Sequence, residues 1–232
     1  MLNWFLLGLL LAVALGLLLY WLLVITEGVF LGRRLVVWMY DLTAHRYDGI
    51  KQFDPDTESF LVIRPFLVRL TGSPAPLVLD VATGTGRLPL FLLEEATFNG
   101  HVIGLDASAR MLAYAQAKLR GYHHRAALVQ QTAADLPFDD NTFNAVTCLE
   151  SLEFFPSDSA ALQEMLRVLR PGGTILTTRR RGWEAKTFVG RYHDRETFQA
   201  LLEVVGFIGV EFQLWQIEYD LVFAYKPQTL MD

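Results

Sequence analysis

The segment that most constrains the fold is an apolar run that ends in an acid and breaks at once into a glycine-rich turn. Residues 77–87 read LVLDVATGTGR, and a helical pattern begins at Leu88. A strand that feeds such a turn and a helix N-terminus lets the backbone approach a small ligand closely. The dinucleotide pattern G-x-G-x-x-G is not complete, because Pro89 stands where its third glycine would be. The segment therefore predicts a site for a different nucleoside ligand.

Apolar runs and helical patterns alternate along the rest of the chain, which is typical of a parallel sheet with crossover helices. Strands are predicted at residues 77–82, 101–106, 127–131, 145–149 and 174–178. Helices are predicted at residues 88–96, 108–120, 158–169 and 194–205. Two β-rich runs close the chain, residues 207–216 and 217–226. Because only a tight connection separates them, they predict an antiparallel pair.

The N-terminus is unusually apolar, with no charged side chain between residues 2 and 26. About 20 apolar residues suffice to cross a bilayer as a helix, so we predict a transmembrane anchor over 1–26. A helical juxtamembrane segment follows over 27–70, broken near Asp54, and one globular domain occupies 71–232. The alternative is a cleaved signal peptide, but no basic residue precedes the run and no small-residue cleavage site is evident. Arg33 and Arg34 follow the span, which predicts a single-pass membrane protein with its domain in the cytoplasm.

Charge and cysteine content argue against two other classes of protein. The net charge is −5, so no basic excess would attract nucleic acid, and we expect no nucleic-acid partner. The one cysteine, Cys148, lies in an apolar strand pattern, and the five histidines show no metal-ligand spacing. We therefore expect no metal site.

The motifs from residue 44 onward resemble those of the class I S-adenosylmethionine-dependent methyltransferases, of the methyltransferase-11 type. Residues 77–87 resemble motif I, residues 131–138 resemble G-D-A-x-x-L-P-F, and residues 44–48 resemble the A-x-x-Y-D element before the core. Residues 167–173 read RVLRPGG, a helix-ending element of the family. Within the class the chain is similar to ubiquinone/menaquinone-biosynthesis methyltransferases, although residues 150–155 and 179–181 depart from that subfamily.

This resemblance implies a fold, a cofactor and an activity. The expected fold is α/β, a Rossmann-like, seven-stranded, mostly parallel sheet with a C-terminal antiparallel hairpin, preceded here by one transmembrane helix. The expected cofactor is S-adenosyl-L-methionine, and the expected reaction is methyl transfer. An ordinary dinucleotide-binding sheet would be all parallel.

The expected cofactor contacts lie just after the strands. The turn should receive the amino-acid moiety, with Asp80 fixing the turn or holding the ammonium group through water. Asp106, at the end of the second strand, can accept both ribose hydroxyl protons. Thr132 stands where the family has an adenine-binding Asp, and its hydroxyl can still accept one hydrogen bond. The full set is Asp80, Ala82, Thr83, Gly84, Gly86, Asp106, Ala107, Met111, Thr132, Ala133 and Leu149.

Methyl transfer from a sulfonium is an in-line displacement, so the protein mainly supplies proximity, orientation and exclusion of water. A general base is needed only where the acceptor is a phenol or a carbon acid. Candidate bases are Glu150, Tyr47 and His193. Expected substrate contacts are Tyr47, Arg179, Arg180 and Arg181, the arginines facing an anionic head group or the membrane surface. A solvated charge run is the alternative for these arginines.

Three hypotheses follow for the function. The first is a membrane-anchored methyltransferase that acts on a small, lipid-like or membrane-associated acceptor. The second is an NAD(P)-linked Rossmann oxidoreductase, against which the missing third glycine and the terminal hairpin both argue. The third is a non-catalytic membrane scaffold that retains the fold.

Overall fold

Residues 2–51, 54–70 and 72–228 are described by the computed structural model, with side chains from residue 4 onward. The helices are α1 (Leu2–Tyr20), α2 (Arg33–Thr43), α3 (Tyr47–Lys51), α4 (Pro55–Glu58), α5 (Arg64–Arg69), α6 (Arg87–Glu94), α7 (Ala109–Lys118), α8 (Asp158–Val168), α9 (Gly182–Ala185) and α10 (Arg195–Val205). The strands are β1 (Leu77–Val81), β2 (His101–Asp106), β3 (Ala126–Gln130), β4 (Phe143–Cys148), β5 (Leu169–Arg180), β6 (Ile208–Leu214) and β7 (Tyr219–Tyr225).

The seven strands form one sheet in the order β3-β2-β1-β4-β5-β7-β6. Strands β1 to β5 pair in parallel, whereas β7 is antiparallel to both of its neighbours. This confirms the mostly parallel sheet with a C-terminal antiparallel pair. The chain leaves β1 toward β2 on one side and returns to β4 on the other, so a crevice opens beyond the carboxyl ends of β1 and β4.

Helices cover both faces of the sheet, which is why the central strands are nearly continuous apolar runs. Val78 on one face packs with Leu92 and Phe223, and Leu79 on the other packs with Leu162. Phe66 joins the first of these clusters, so the segment just before the sheet contributes to its core.

Strand β5 is longer than predicted, and this moves two of the arginines. The apolar pattern predicted 174–178, but the strand runs from Leu169 to Arg180. Arg179 and Arg180 therefore lie within the strand and do not follow it. Two charged residues can end a strand here because Arg179 lies opposite Asp220 of β7 and bonds its carboxylate at 2.6 Å.

The N-terminal helix α1 continues as a π-helical turn, Trp21–Ile25. Together they make a 22-residue apolar segment, Trp4–Ile25, with a mean hydropathy of 2.6 and none of its most apolar window buried. Length and composition are sufficient for it to cross a bilayer, and a signal sequence would meet the same two criteria. The end of the segment meets the domain, since the Trp21 indole N–H donates to the Thr187 carbonyl at 3.3 Å.

Candidate active site

The carboxyl ends of β1, β2 and β4 surround a cleft that opens to solvent. A smaller hollow adjoins it around the turn after β1, and the two share Tyr47, Ala82, Gly84 and Leu149 as walls. The sequence-predicted cofactor residues that line the larger cleft are Ala82, Gly84, Asp106, Ala107, Met111, Thr132, Ala133 and Leu149. Asp80 and Thr83 line the smaller hollow.

Strand β1 and the turn after it are held by the buried carboxylate of Asp80. The hydroxyls of Thr83 and Thr147 donate to its two oxygens at 2.7 Å and 2.6 Å. Burial outweighs these hydrogen bonds and raises the pKa of Asp80 to about 6. The sheet therefore carries, next to the hollow, an acid that titrates near neutral pH.

The turn itself depends on left-handed backbone. Gly84 and Gly86 have φ values of 54° and 77°, and Ala82 adopts 58° although it carries a β-carbon. A β-carbon on Gly86 would lie 3.1 Å from that of Ala115, so this glycine also lets α7 pack closely. A non-glycine residue in this region costs free energy and is typical of functional sites.

Asp106 and Gly84 lie side by side at the mouth of the cleft. The backbone N–H of Gly84 donates to one carboxylate oxygen of Asp106 at 2.8 Å, and that of Ser108 donates to the other at 2.8 Å. Burial nonetheless raises the pKa of Asp106. A carboxylate has about four lone-pair sites, so Asp106 can accept a further hydrogen bond from a hydroxyl of a ligand.

The opposite wall comes from the helical segment before the sheet, residues 27–51, which we call the cap. Three of its side chains bond residues near the ends of three strands. Ser108 donates to Asp41, Thr85 donates to Asp48 at 2.6 Å, and Lys51 pairs with Glu150 at 2.5 Å. The cap is thus fixed over the turn after β1, the end of β2 and the end of β4.

Glu150 serves this contact and is poorly suited to act as a base. Its carboxylate is buried between Lys51 and Arg87, and Arg87 lies 2.9 Å away. Burial raises the pKa of Glu150, but the two cations outweigh it, and the net pKa is lowered. Its φ of 52° is a further left-handed non-glycine at a strand end. The carboxylate therefore stays ionised at neutral pH and neutralised by its partners.

Two tyrosines of the cap reach the cleft. Tyr47 Cε1 lies 4.0 Å from the position that a β-carbon on Gly84 would take, so its ring covers the turn. The Tyr40 ring stands 6.2 Å from that of Tyr47 and 6.0 Å from that of Phe154. The Tyr40 hydroxyl donates to the Glu27 carboxylate at 2.8 Å. Burial first, and then the Glu27 charge, raise the pKa of Tyr40 well above its ordinary value.

The Tyr40–Glu27 pair was missed from the sequence, although it is the arrangement best suited to take a proton. A hydroxyl of the acceptor can donate to the Tyr40 oxygen while Tyr40 passes its own proton to Glu27. Among the described residues, Glu27 has no cationic side chain within 4.0 Å, in contrast to Glu150. The structure gives Glu27 a left-handed backbone, with a φ of 50°, beside Gly28.

The remaining predicted residues lie apart from the cleft. His193 bonds Asp158 at 2.7 Å in a separate hollow behind Phe188. Arg179 is held by Asp220, and Arg180 faces Glu153 at 3.4 Å. Arg181 also pairs with Asp220, at 3.2 Å, with about a third of its side chain exposed. Gly86 lies behind the turn, against Ala115. The structure therefore does not bring the arginines or His193 to the cleft.

Comparison with known proteins gives a family match over the core of the sheet. Residues 78–173 match the family model described as a methyltransferase domain. The chain is 33% identical over 140 residues to a demethylmenaquinone methyltransferase of Symbiobacterium thermophilum, which covers 60% of this chain and 56% of that relative. The chain spans about half the length of the curated relatives that it matches.

Solved structures agree with the fold over most of the chain. A putative S-adenosyl-L-methionine-dependent methyltransferase from Methanococcus maripaludis has a TM-score of 0.65 at 19% identity, covering 83% of this chain and 95% of that one. The cyclase SpnF has a TM-score of 0.69 at 19% identity, covering 84% of this chain and 96% of that one. Since one of these two is named a cyclase, the fold alone does not decide the chemistry.

Proposed function

We infer that this chain is a class I S-adenosylmethionine-dependent methyltransferase and that it transfers a methyl group to a small apolar acceptor that resides at a membrane. The observation that carries this proposal is one cleft with two unlike walls. One wall has the turn after β1 and the Asp106 carboxylate. The other is the apolar cap, which begins only a few residues after the apolar helix ends.

The residues that line the cleft and the hollow fit the chemistry of the cofactor. We assign the ribose hydroxyls to Asp106, the amino-acid moiety to the hollow beside Asp80, and the adenine to the walls formed by Met111, Ala133 and Leu149. The Gly84 turn leaves room for close approach, because no β-carbon fills the space below Tyr47. When bound, S-adenosylmethionine supplies a methyl group already activated by its sulfonium. The chain then has to orient the acceptor and exclude water.

The acceptor side of the cleft is apolar and aromatic. Val36, Val37, Tyr40, Phe154 and Phe155 line it, together with the cationic Arg33. Such a wall supports an apolar acceptor, and the name of the relatives, demethylmenaquinone methyltransferase, supports an isoprenoid quinol in particular. When bound, the cofactor would supply the methyl group. This chain's own part would be to take the proton that a quinol loses, through the Tyr40 hydroxyl to the Glu27 carboxylate.

The domain organisation supports the same proposal. We assign 1–26 to a membrane anchor, 27–70 to the cap and its continuation, and 71–232 to the catalytic domain, on the cytoplasmic side. Exposed Arg33 and Arg34 follow the anchor, as expected for the cytoplasmic flank of a span.

The test is methyl transfer by the full chain, purified in nanodiscs and incubated with labelled methyl donor. One arm receives a total lipid extract and the other a pool of water-soluble metabolites. We expect label in a lipid-extractable product, identified by mass spectrometry. Label only in a water-soluble product would overturn the membrane acceptor, and label in neither would overturn methyl transfer.

A further inference from the structure

A short segment beside the end of the apolar helix presents large apolar side chains to solvent. It covers residues 182–190, which we call the Trp183 segment, and Gly182 and Gly190 bound it with φ values of 86° and 74°. Trp183 is 70% exposed and Val189 is 66% exposed, with exposed Lys186 between them at a spacing of three. These three side chains therefore share one face of a helix-like turn.

The other face of the same segment is buried in the domain. Ala185 and Phe188 are each 1% exposed. The ring of Phe188 lies 6.1 Å from that of Phe154, which lines the cleft. The backbone is closed by hydrogen bonds three residues apart, as from Lys186 N–H to the Trp183 carbonyl at 3.2 Å. The segment is therefore a folded part of the domain that packs behind Phe154 of the cleft wall and has an apolar outer face.

Its position relative to the apolar helix is fixed by contacts. The Trp21 indole N–H donates to the Thr187 carbonyl, and the Trp21 ring stacks on Phe30 at 5.1 Å. Trp21 stands four residues before the end of the span at Ile25. If the span crosses a bilayer, Trp21 and its contacts lie where the lipid chains meet the head groups.

We propose that the Trp183 segment inserts into the interface of the bilayer beside the anchor, with Trp183 and Val189 among the lipid chains and Lys186 at the phosphates. Tryptophan prefers this level of a membrane, and lysine there gains from anionic lipid. Glu184, half-buried on the same turn, is the one acidic side chain of the segment. Since Phe188 of this segment packs on Phe154, the acceptor side of the cleft lies one aromatic ring from the lipid.

This inference rests on the proposed membrane anchor, so the test separates the two. An environment-sensitive fluorophore is attached to a single cysteine in the full chain in phosphatidylcholine/phosphatidylglycerol nanodiscs. Cys148 is fully buried and should not react. The test variant is Trp183→Cys. The matched control is Val204→Cys. Val204 is an apolar side chain on α10 that is 86% exposed and lies outside the Trp183 segment. A third variant, Val13→Cys, reports on the middle of the span.

We expect emission from position 183 to be blue-shifted and quenched several-fold more by nitroxide-labelled lipid than emission from position 204. Position 13 should be quenched as well. Equal emission at positions 183 and 204, with position 13 quenched, would overturn this inference and leave the anchor standing. No quenching at position 13 would overturn the anchor and this inference together, while methyl transfer itself would still be judged by its own assay.

Discussion

The buried acid of β1 leads to a prediction about how the cofactor binds. Asp80 is 3% exposed, and burial raises its pKa to about 6. A carboxyl that titrates near pH 6 instead of near 4 is about 3 kcal/mol less stable as an anion in the folded chain than in water. The folded state keeps this proton between about pH 4 and pH 6, whereas the unfolded chain releases it. Stability should therefore fall as the pH rises through this range.

An ammonium group in the hollow beside Asp80 would recover this free energy. If bound S-adenosylmethionine returns the pKa of Asp80 to its ordinary value, binding releases a proton below about pH 6. Affinity should then rise by about tenfold between pH 5 and pH 7 and level off above that range. In Asp80→Asn the affinity at neutral pH should be weaker and its pH dependence shallower. Asp106 also has a raised pKa and contributes a residual slope, so the difference between the two proteins isolates Asp80.

The assay is isothermal titration of the full chain in nanodiscs with S-adenosylmethionine at several pH values, together with thermal melts of the ligand-free protein. The melts should show that Asp80→Asn loses the decline in stability between about pH 4 and pH 6 and is no less stable at neutral pH. An affinity for wild type that is flat with pH, or an Asp80→Asn protein that is clearly less stable at pH 7, would refute the reasoning.

Three further predictions concern the cleft. Asp106→Asn should weaken the binding of S-adenosylmethionine about 100-fold by titration, because two charge-assisted hydrogen bonds of about 1.5 kcal/mol each are lost. The control Asp135→Asn, at an exposed position, should leave the affinity unchanged. An equal loss of affinity in both variants would contradict the assignment of the ribose to Asp106. Glu150→Gln should cost about 3 kcal/mol of unfolding free energy by denaturant titration. Because the pKa of Glu150 is lowered in the folded chain, this contribution should be complete above the unfolded pKa of about 4.3 and be lost as the pH falls through the lower folded pKa. A rate that follows the titration of Glu150 would show that it is a base. Tyr40→Phe should lower kcat about 100-fold or more with cofactor affinity intact, and Glu27→Gln should do likewise; full activity in both would remove the pair from the reaction.

The sheet and the floor of the cleft were predictable from local patterns. Each central strand is an apolar run bounded by turn residues. The run from Leu77 is recognised as the first strand of the sheet by the acid that it contains and the glycines that follow it. Because parallel strands end at one edge of a sheet, residues that follow different runs, such as Gly84 and Asp106, could be placed together before any contact was known.

What the sequence concealed are pairs that become neighbours only through tertiary structure. The C-terminal end of strand β5 was missed because Arg179 breaks the apolar pattern, and its partner Asp220 lies 41 positions later. Its N-terminal end was missed because residues 169–173 contain a proline and two glycines. The bond from Tyr40 to Glu27 joins residues on two sides of a helical turn, with no periodic spacing to reveal it. Glu150 looked like a base because it follows a strand, but its pKa is lowered by Arg87 and Lys51, which are 63 and 99 positions away.

We assign the cleft that Gly84 and Asp106 line to an adenosyl sulfonium. The most direct measurement is titration of the full chain with S-adenosylmethionine and, in parallel, with NAD and NADP. We expect S-adenosylmethionine to bind saturably and neither dinucleotide to bind. Binding of a dinucleotide without binding of S-adenosylmethionine would contradict the account.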